Sequence, residues 1–199
     1  MSSPPSTGPA RLPAALALAS RVHGPGARKG TGVPYLAHLL AVTGLVLEDG
    51  GNEDEAIAAL LHDSVEDGGG RPLLEEIRDR FGERVAAIVE ACSEEIDGPE
   101  RGSWREKKER YLAHLPEVED DGVLRVSLAD KLQNARSLAR TLRRDDYRED
   151  EVTPEDRLWY YRRLAAFFED RRPGPLAGDL RHAADELRAL IITESSPGG

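Results

Sequence analysis

The sequence predicts an all-α protein, a single-domain helical bundle with about eight to ten helices, and three observations predict it. Apolar residues recur at helical spacing along nearly the whole chain, while no stretch alternates convincingly with period two. Hydrophobic residues make up 39% and charged residues 32% of the 199, the balance of a soluble fold with a real core. No repeat and no Pro/Gly linker divides the chain. Aromatics supply only 5%, so Leu, Ala, Val and Ile must fill the interior.

The elements follow in order. Residues 1–9 are rich in Ser, Pro, Gly and Thr and read as a disordered tail, as do 195–199, leaving 10–194 as the folded domain. A first helix is expected over 12–23, then a Gly/Pro/basic loop over 24–32. Pro34 suits a helix start, and 35–48 is apolar on most faces until Gly50, Gly51 and Asn52 stop it. Glu53, Asp54 and Glu55 place negative charge on the first turn of the next helix, where its dipole favours it. That helix carries 56–66 and ends at the triple glycine, Gly68 to Gly70. Further helices are expected over 72–80, 83–92, 103–115, 122–142, 154–170 and 176–192.

Charge and cysteine content narrow the function. Acids outnumber bases 37 to 27, a formal net charge of −10, which argues against general affinity for DNA, RNA or anionic membranes. The lone Cys92 excludes an internal disulfide framework and any multi-cysteine metal site, and its apolar setting reads as core packing. The apolar run near 12–19 is too short to span a bilayer and is interrupted by Pro13, so a cytoplasmic protein without signal peptide is expected. No heptad or apolar patch stands out, and the oligomeric state stays open.

Three polar intrusions into apolar runs locate the chemistry. His62 and Asp63 end the run Ala56 to Leu61, followed by Glu66 and Asp67. Buried charges must be paired or bind a cation, although a helix end dissolving into an acidic loop has the same composition. If the helix continues, His62 shares a face with Glu66, and Asp63 with Asp67. His38 lies within Tyr35 to Val42, and taken alone reads as a satisfied core residue. Asp130, within Val126 to Leu132, has Lys131 and Arg136 as candidate partners. Together, two imidazoles and two carboxylates from three helices make a nitrogen–oxygen set suited to Mn²⁺, Fe²⁺ or Zn²⁺.

Those residues, in the stretches Arg28-Lys29-Gly30-Thr31-Gly32-Val33-Pro34-Tyr35-Leu36-Ala37-His38, Leu60-Leu61-His62-Asp63-Ser64-Val65-Glu66-Asp67 and Ser127-Leu128-Ala129-Asp130-Lys131-Leu132-Gln133-Asn134-Ala135-Arg136, resemble the HD-domain metal-dependent phosphohydrolases. More narrowly, the chain resembles the hydrolase domain of RelA/SpoT enzymes and the small alarmone hydrolases of metazoan SpoT-homologue type. The resemblance implies an Mn²⁺-dependent 3′-pyrophosphohydrolase acting on guanosine tetra- or pentaphosphate, a stand-alone hydrolase with no synthetase domain. It implies that His38, His62, Asp63 and Asp130 hold the metal and that Glu66 and Asp67 activate or position the attacking water. It implies that Arg28 stacks on the purine beside Lys29 and Tyr35, that Asn134 contacts the nucleotide, and that Arg157 and Tyr161 line the phosphate side. Gly24-Pro25-Gly26 departs from the Ala-Gly-Gln common in the family and removes a polar side chain near the base.

The phosphates need local positive charge in an acidic protein, and Arg28, Lys29, Arg157, Arg105 and Lys108 are its candidate sources. Outside the motif, Arg28 and Lys29 read as ordinary solvated charges, as does the helix face from Trp104 to Lys108. Within Trp159-Tyr160-Tyr161, two of the three read as core. His23, His114 and His182 have no matched role. Two alternatives share the residues: an HD-fold phosphohydrolase for another purine nucleotide (an adenosine alarmone, or a 2′- or 3′-phosphorylated nucleotide such as NADPH), or a non-catalytic module that binds nucleotide.

Overall fold

The computed structural model describes residues 11–24, 26–28, 32–93, 102–144 and 152–194. Lys29, Pro25 and the two terminal tails lie outside the described residues. Ten α-helices are present among the described residues and no strand, only an isolated bridge between Ala27 and Pro34. They are α1 (Arg11–His23), α2 (Tyr35–Glu48), α3 (Glu53–Leu61), α4 (Ser64–Gly68), α5 (Gly70–Phe81), α6 (Glu83–Cys92), α7 (Trp104–His114), α8 (Asp121–Arg143), α9 (Pro154–Arg171) and α10 (Pro175–Glu194).

Helix α3 sits at the centre because its sequence leaves it no polar face. From Glu55 to Leu61 every residue is buried, with α1, α2, α6 and α8 packed around it. Asn52 starts it with a capping box, its side chain accepting from the Glu55 N–H while the Glu55 carboxylate accepts from the Asn52 N–H. Glu55 also accepts from Arg125 at 2.5 Å, and Arg125 reaches Asp49 at 3.1 Å. Arg172 binds Asp49 at 2.6 Å, so one half-buried ionic cluster joins the C-terminal end of α2, the start of α3, the start of α8 and the end of α9. The opposite ends of α2 and α3 are thereby left to face each other near the middle of α8. Behind α8, α9 and α10 form an outer layer whose Leu164, Phe168, Leu180 and Leu187 are fully buried.

Two expectations from the sequence are corrected. The helix expected to run through Glu66 breaks after Leu61, and 64–68 forms a separate single turn. Gly70 opens α5 instead of belonging to a purely terminal glycine run, with Pro72 in its first turn, where no helical N–H is lost. Helix α2 is also less enclosed than its composition suggests. Leu40 and Leu47, seven residues apart, are 48% and 47% exposed, so an apolar strip does exist on this surface.

Candidate metal centre

The facing ends of α2, α3 and α8 bring four of the predicted residues to one point. His38 comes from the first turn of α2, His62 and Asp63 from the break between α3 and α4, and Asp130 from the middle of α8. His38, His62 and Asp130 are buried, and one ligand atom from each lies within 4.8 Å of the others. His38 Nε2 is 3.3 Å from Asp130 Oδ1 and 3.5 Å from Asp63 Oδ2. His62 Nε2 is 3.1 Å from Asp63 Oδ2 and 3.5 Å from Asp130 Oδ1.

His62 carries the test of whether this set fits a cation. Its Nδ1 lies 2.8 Å from the Ala59 carbonyl, an acceptor only, so Nδ1 holds the proton and donates it. Nε2 then presents a lone pair to the cluster, fully buried and without a hydrogen-bond partner. A buried unpaired nitrogen beside two carboxylates is what a metal ligand requires, and a backbone carbonyl behind the ring is the usual means of orienting it. The electrostatics agree. Burial opposes a charge on His62, but Asp63 and Asp130 outweigh it and hold its pKa well above the ordinary histidine range. Asp63, against its own burial, is held far below the carboxylate range by His62 and His38. Asp130, the more buried of the two, is held down against its burial by Lys131 first and then by the two histidines. The cluster favours positive charge at its centre, whether carried by a proton or by a metal cation.

A shell of hydrogen bonds fixes the carboxylates. Tyr35 donates to Asp63 Oδ2 at 2.5 Å. Lys131 donates to Asp130 Oδ2 at 2.9 Å and Asn134 to Asp130 Oδ1 at 2.6 Å. Arg28 donates to Asn134 Oδ1 at 2.5 Å, and its guanidinium lies 2.7 Å from His38 Nδ1. Of the two partners expected for Asp130, the adjacent Lys131 takes it, while Arg136 pairs with Asp179 at 2.6 Å. Burial pushes the Tyr35 hydroxyl far above the phenol range, reinforced by Asp63.

This cluster forms one wall of a cavity of about 210 Å³, whose lining also includes Arg28, Tyr35, Glu66 and Asn134. Eight of the twelve residues singled out from the sequence thus meet in one place. Lys29 lies outside the described residues. Asp67 does not line the cavity; its half-exposed carboxylate turns to His23 Nδ1 at 3.6 Å. Arg157 and Tyr161 do not line it either. Tyr161 is buried behind it, its pKa pushed up to about 12 by burial and then by Asp130, with Lys131, Arg157 and Arg28 pulling the other way.

Tyr111, Ser127, Lys131 and Cys92 also line the cavity, which the sequence reading did not assign, and so does Lys108, which it named both as a candidate source of positive charge and as part of a solvated face. Lys108 is therefore not merely part of a solvated face. The available signal was spacing: Ser127, Asp130, Lys131 and Asn134 are three and four apart on α8, and Lys108 and Tyr111 three apart on α7. Cys92 lies at the wall, its thiol 3.7 Å from the Ser127 hydroxyl and pushed up to about 11 by burial, which keeps it an unreactive thiol. Trp159 is only partly buried, beneath the Arg105 guanidinium at 3.2 Å, whereas Tyr160 and Tyr161 are core.

The profile of the HD domain matches residues 15–155. Curated relatives include a guanosine-3′,5′-bis(diphosphate) 3′-pyrophosphohydrolase of Aquifex aeolicus, 40% identical over 61% of this chain and 17% of its own length. Another is the guanosine-3′,5′-bis(diphosphate) 3′-pyrophosphohydrolase MESH1 of Xenopus tropicalis, 36% identical over 68% of this chain and 66% of its own. The chain therefore spans less than two thirds of the length of these relatives. Among solved structures, a metazoan SpoT ortholog that hydrolyses ppGpp superposes with a TM-score of 0.65 at 21% identity, covering 98% of this chain and 99% of that one.

Proposed function

The chain belongs to the HD-domain family, and from that premise we propose that it is a metal-dependent 3′-pyrophosphohydrolase that removes diphosphate from the ribose 3′ position of guanosine tetra- or pentaphosphate. The observation that carries this reading is the unpartnered His62 Nε2 at the floor of a cavity that also holds an acid and several cationic side chains. His38, His62, Asp63 and Asp130 would hold one divalent cation, Mn²⁺ in this reading. Bound there, the cation supplies Lewis acidity toward a phosphoryl oxygen.

The remaining work falls to the protein's own residues. Glu66 is exposed on the cavity wall and is the general base, taking the proton of the attacking water. The water oxygen bonds to the phosphorus next to the ribose, the bond from that phosphorus to the ribose 3′ oxygen breaks, diphosphate leaves and the 3′ oxygen receives the proton that Glu66 took. Arg28, Lys108 and Lys131 face the charge of the diphosphate from the cavity wall. Arg28, Lys29 and Asn134 are the contacts proposed for the nucleoside, and Arg157 and Tyr161 those proposed for the phosphates. Among the described residues no helix is long and apolar enough to cross a membrane, and a cytoplasmic location belongs to the same proposal.

The test is diphosphate release by the purified chain, with and without Mn²⁺, from guanosine and adenosine 3′-diphosphates and from ordinary nucleoside triphosphates. Metal-dependent release from the guanosine 3′-diphosphate is expected. Release from the adenosine compound alone would move the substrate, and silence on both would overturn the reaction.

A further inference from the structure

Helix α4 cannot hold its own position. It is a single turn of five residues, its N-cap Asp63 makes no side-chain capping bond, and an isolated turn is far below the length at which helix formation is favourable. Yet it carries Asp63 at one end and Glu66 in its middle, the two acids whose placement matters most. What fixes it is the last turn of α1. Gly68 lies so close to Val22 that a Cβ there would come within 2.2 Å of Val22 Cγ1. Beside that contact sits His23, buried, with three partners. Its Nε2 is 3.2 Å from the Ser64 hydroxyl, its Nδ1 is 3.6 Å from Asp67 Oδ2, and its ring stacks on Tyr35 at 4.7 Å between centroids and 10° between planes.

We infer that His23 is a positioning residue for the hydrolytic site: it pins α4 at Ser64 and Asp67, so that Glu66 faces the cavity, and through Tyr35 it backs the hydroxyl that holds Asp63. The inference rests on the function proposed above. The carboxylate of Asp67 beside Nδ1 favours the proton on that nitrogen, so Nε2 accepts from the Ser64 O–H. Burial lowers the pKa of His23, in keeping with a neutral ring. The order Ser64–His23–Asp67 has the connectivity of a nucleophilic triad. Ser64 has no exposed surface, however, and cannot meet a substrate, which leaves orientation as the role of the trio.

The experiment compares His23→Phe, which keeps the ring against Tyr35 and removes both nitrogens, with Ser64→Ala and the double variant. His23→Phe is expected to lower kcat by about tenfold with KM within about twofold and Mn²⁺ affinity unchanged, the pattern of a misplaced general base. The double variant is expected to be no worse than the worse single one, because both remove the same link. His23→Gln, whose amide reaches the position of Nε2, should recover part of the loss. Wild-type kcat in His23→Phe, or losses that multiply in the double variant, would overturn the inference. Imidazole ¹⁵N spectra need no substrate and separate it from the functional proposal. An Nδ1–H tautomer at His23, whose Nε2 resonance shifts in Ser64→Ala as its hydrogen bond is lost, supports the pinning even if wild type releases no diphosphate, and that silence then counts against the proposed reaction alone. A mixed tautomer in wild type would overturn the pinning whether or not the enzyme turns over.

Discussion

At the scale of single residues, the adjacent acids Glu66 and Asp67 separate into two roles. Neighbouring residues on a helical turn point about 100° apart, so only one of such a pair can face a given cavity. Here Glu66 does, and Asp67 faces His23. Glu66→Gln is therefore expected to retain bound metal and lose at least about 100-fold in kcat, as befits removal of a general base. Asp63→Ala is expected to lose both metal and turnover while its circular dichroism stays that of the wild type. Metal content and rate measured side by side distinguish the two, and a Glu66→Gln enzyme of normal rate would remove the base from the mechanism. The metal-binding candidates were legible in the sequence because each is a polar residue inside an apolar run, where an unpaired charge demands a partner. Lys131 and Tyr111 were not, because a lysine beside an aspartate and a tyrosine on a charged helix look the same whether or not a cavity opens between them.

At the scale of elements, the break between α3 and α4 is what gives the site its shape, and no residue announces it. His62 and Asp63 keep right-handed helical dihedrals, φ −57° and ψ −36° for the first and φ −91° and ψ −6° for the second, and Asp67 N–H still reaches the Asp63 carbonyl at 3.1 Å. No proline or glycine interrupts 56–66, so periodicity carries one helix through it. Local sequence therefore does not account for the break, and the contacts that seat α4 on Val22 and His23 are tertiary. Gly68 is the element's tightest point, and its restriction is steric, since its φ is not among the positive ones. Gly68→Ala is expected to push α4 away from α1, with a stability loss of about 1–3 kcal/mol from overpacking. Because α4 carries Glu66, kcat should fall further than in a surface Gly→Ala control such as Gly178→Ala, where an added Cβ meets nothing within 4 Å. Equal kcat in the two variants would mean that α4 does not depend on this seat.

At the scale of the whole molecule, the central cluster couples metal, protons and stability. In the metal-free protein the raised pKa of His62 means that its contribution to stability is complete below the unfolded histidine pKa of about 6.5 and is lost as pH rises through the folded value. The lowered values of Asp63 and Asp130 act in the other direction, contributing above the unfolded carboxylate range and losing that contribution only as the pH falls well into acid. Between those limits the carboxylates stay charged while the compensating proton on His62 departs, and the metal-free fold weakens toward alkaline pH. A divalent cation competes with that proton, so its stabilising effect must grow in the same direction. Saturation at about 100 times Kd stabilises the folded state by about 2.7 kcal/mol. For a chain of this size that corresponds to a rise in Tm of about 5–10 °C. Thermal melts with Mn²⁺ and with a chelator, at about pH 6 and about pH 9, are expected to show a larger metal-induced rise at the higher pH. A rise independent of pH would mean that the cation binds away from His62, and Asp130→Asn should then leave it untouched. If the cation sits where these residues converge, Asp130→Asn abolishes the rise at both values.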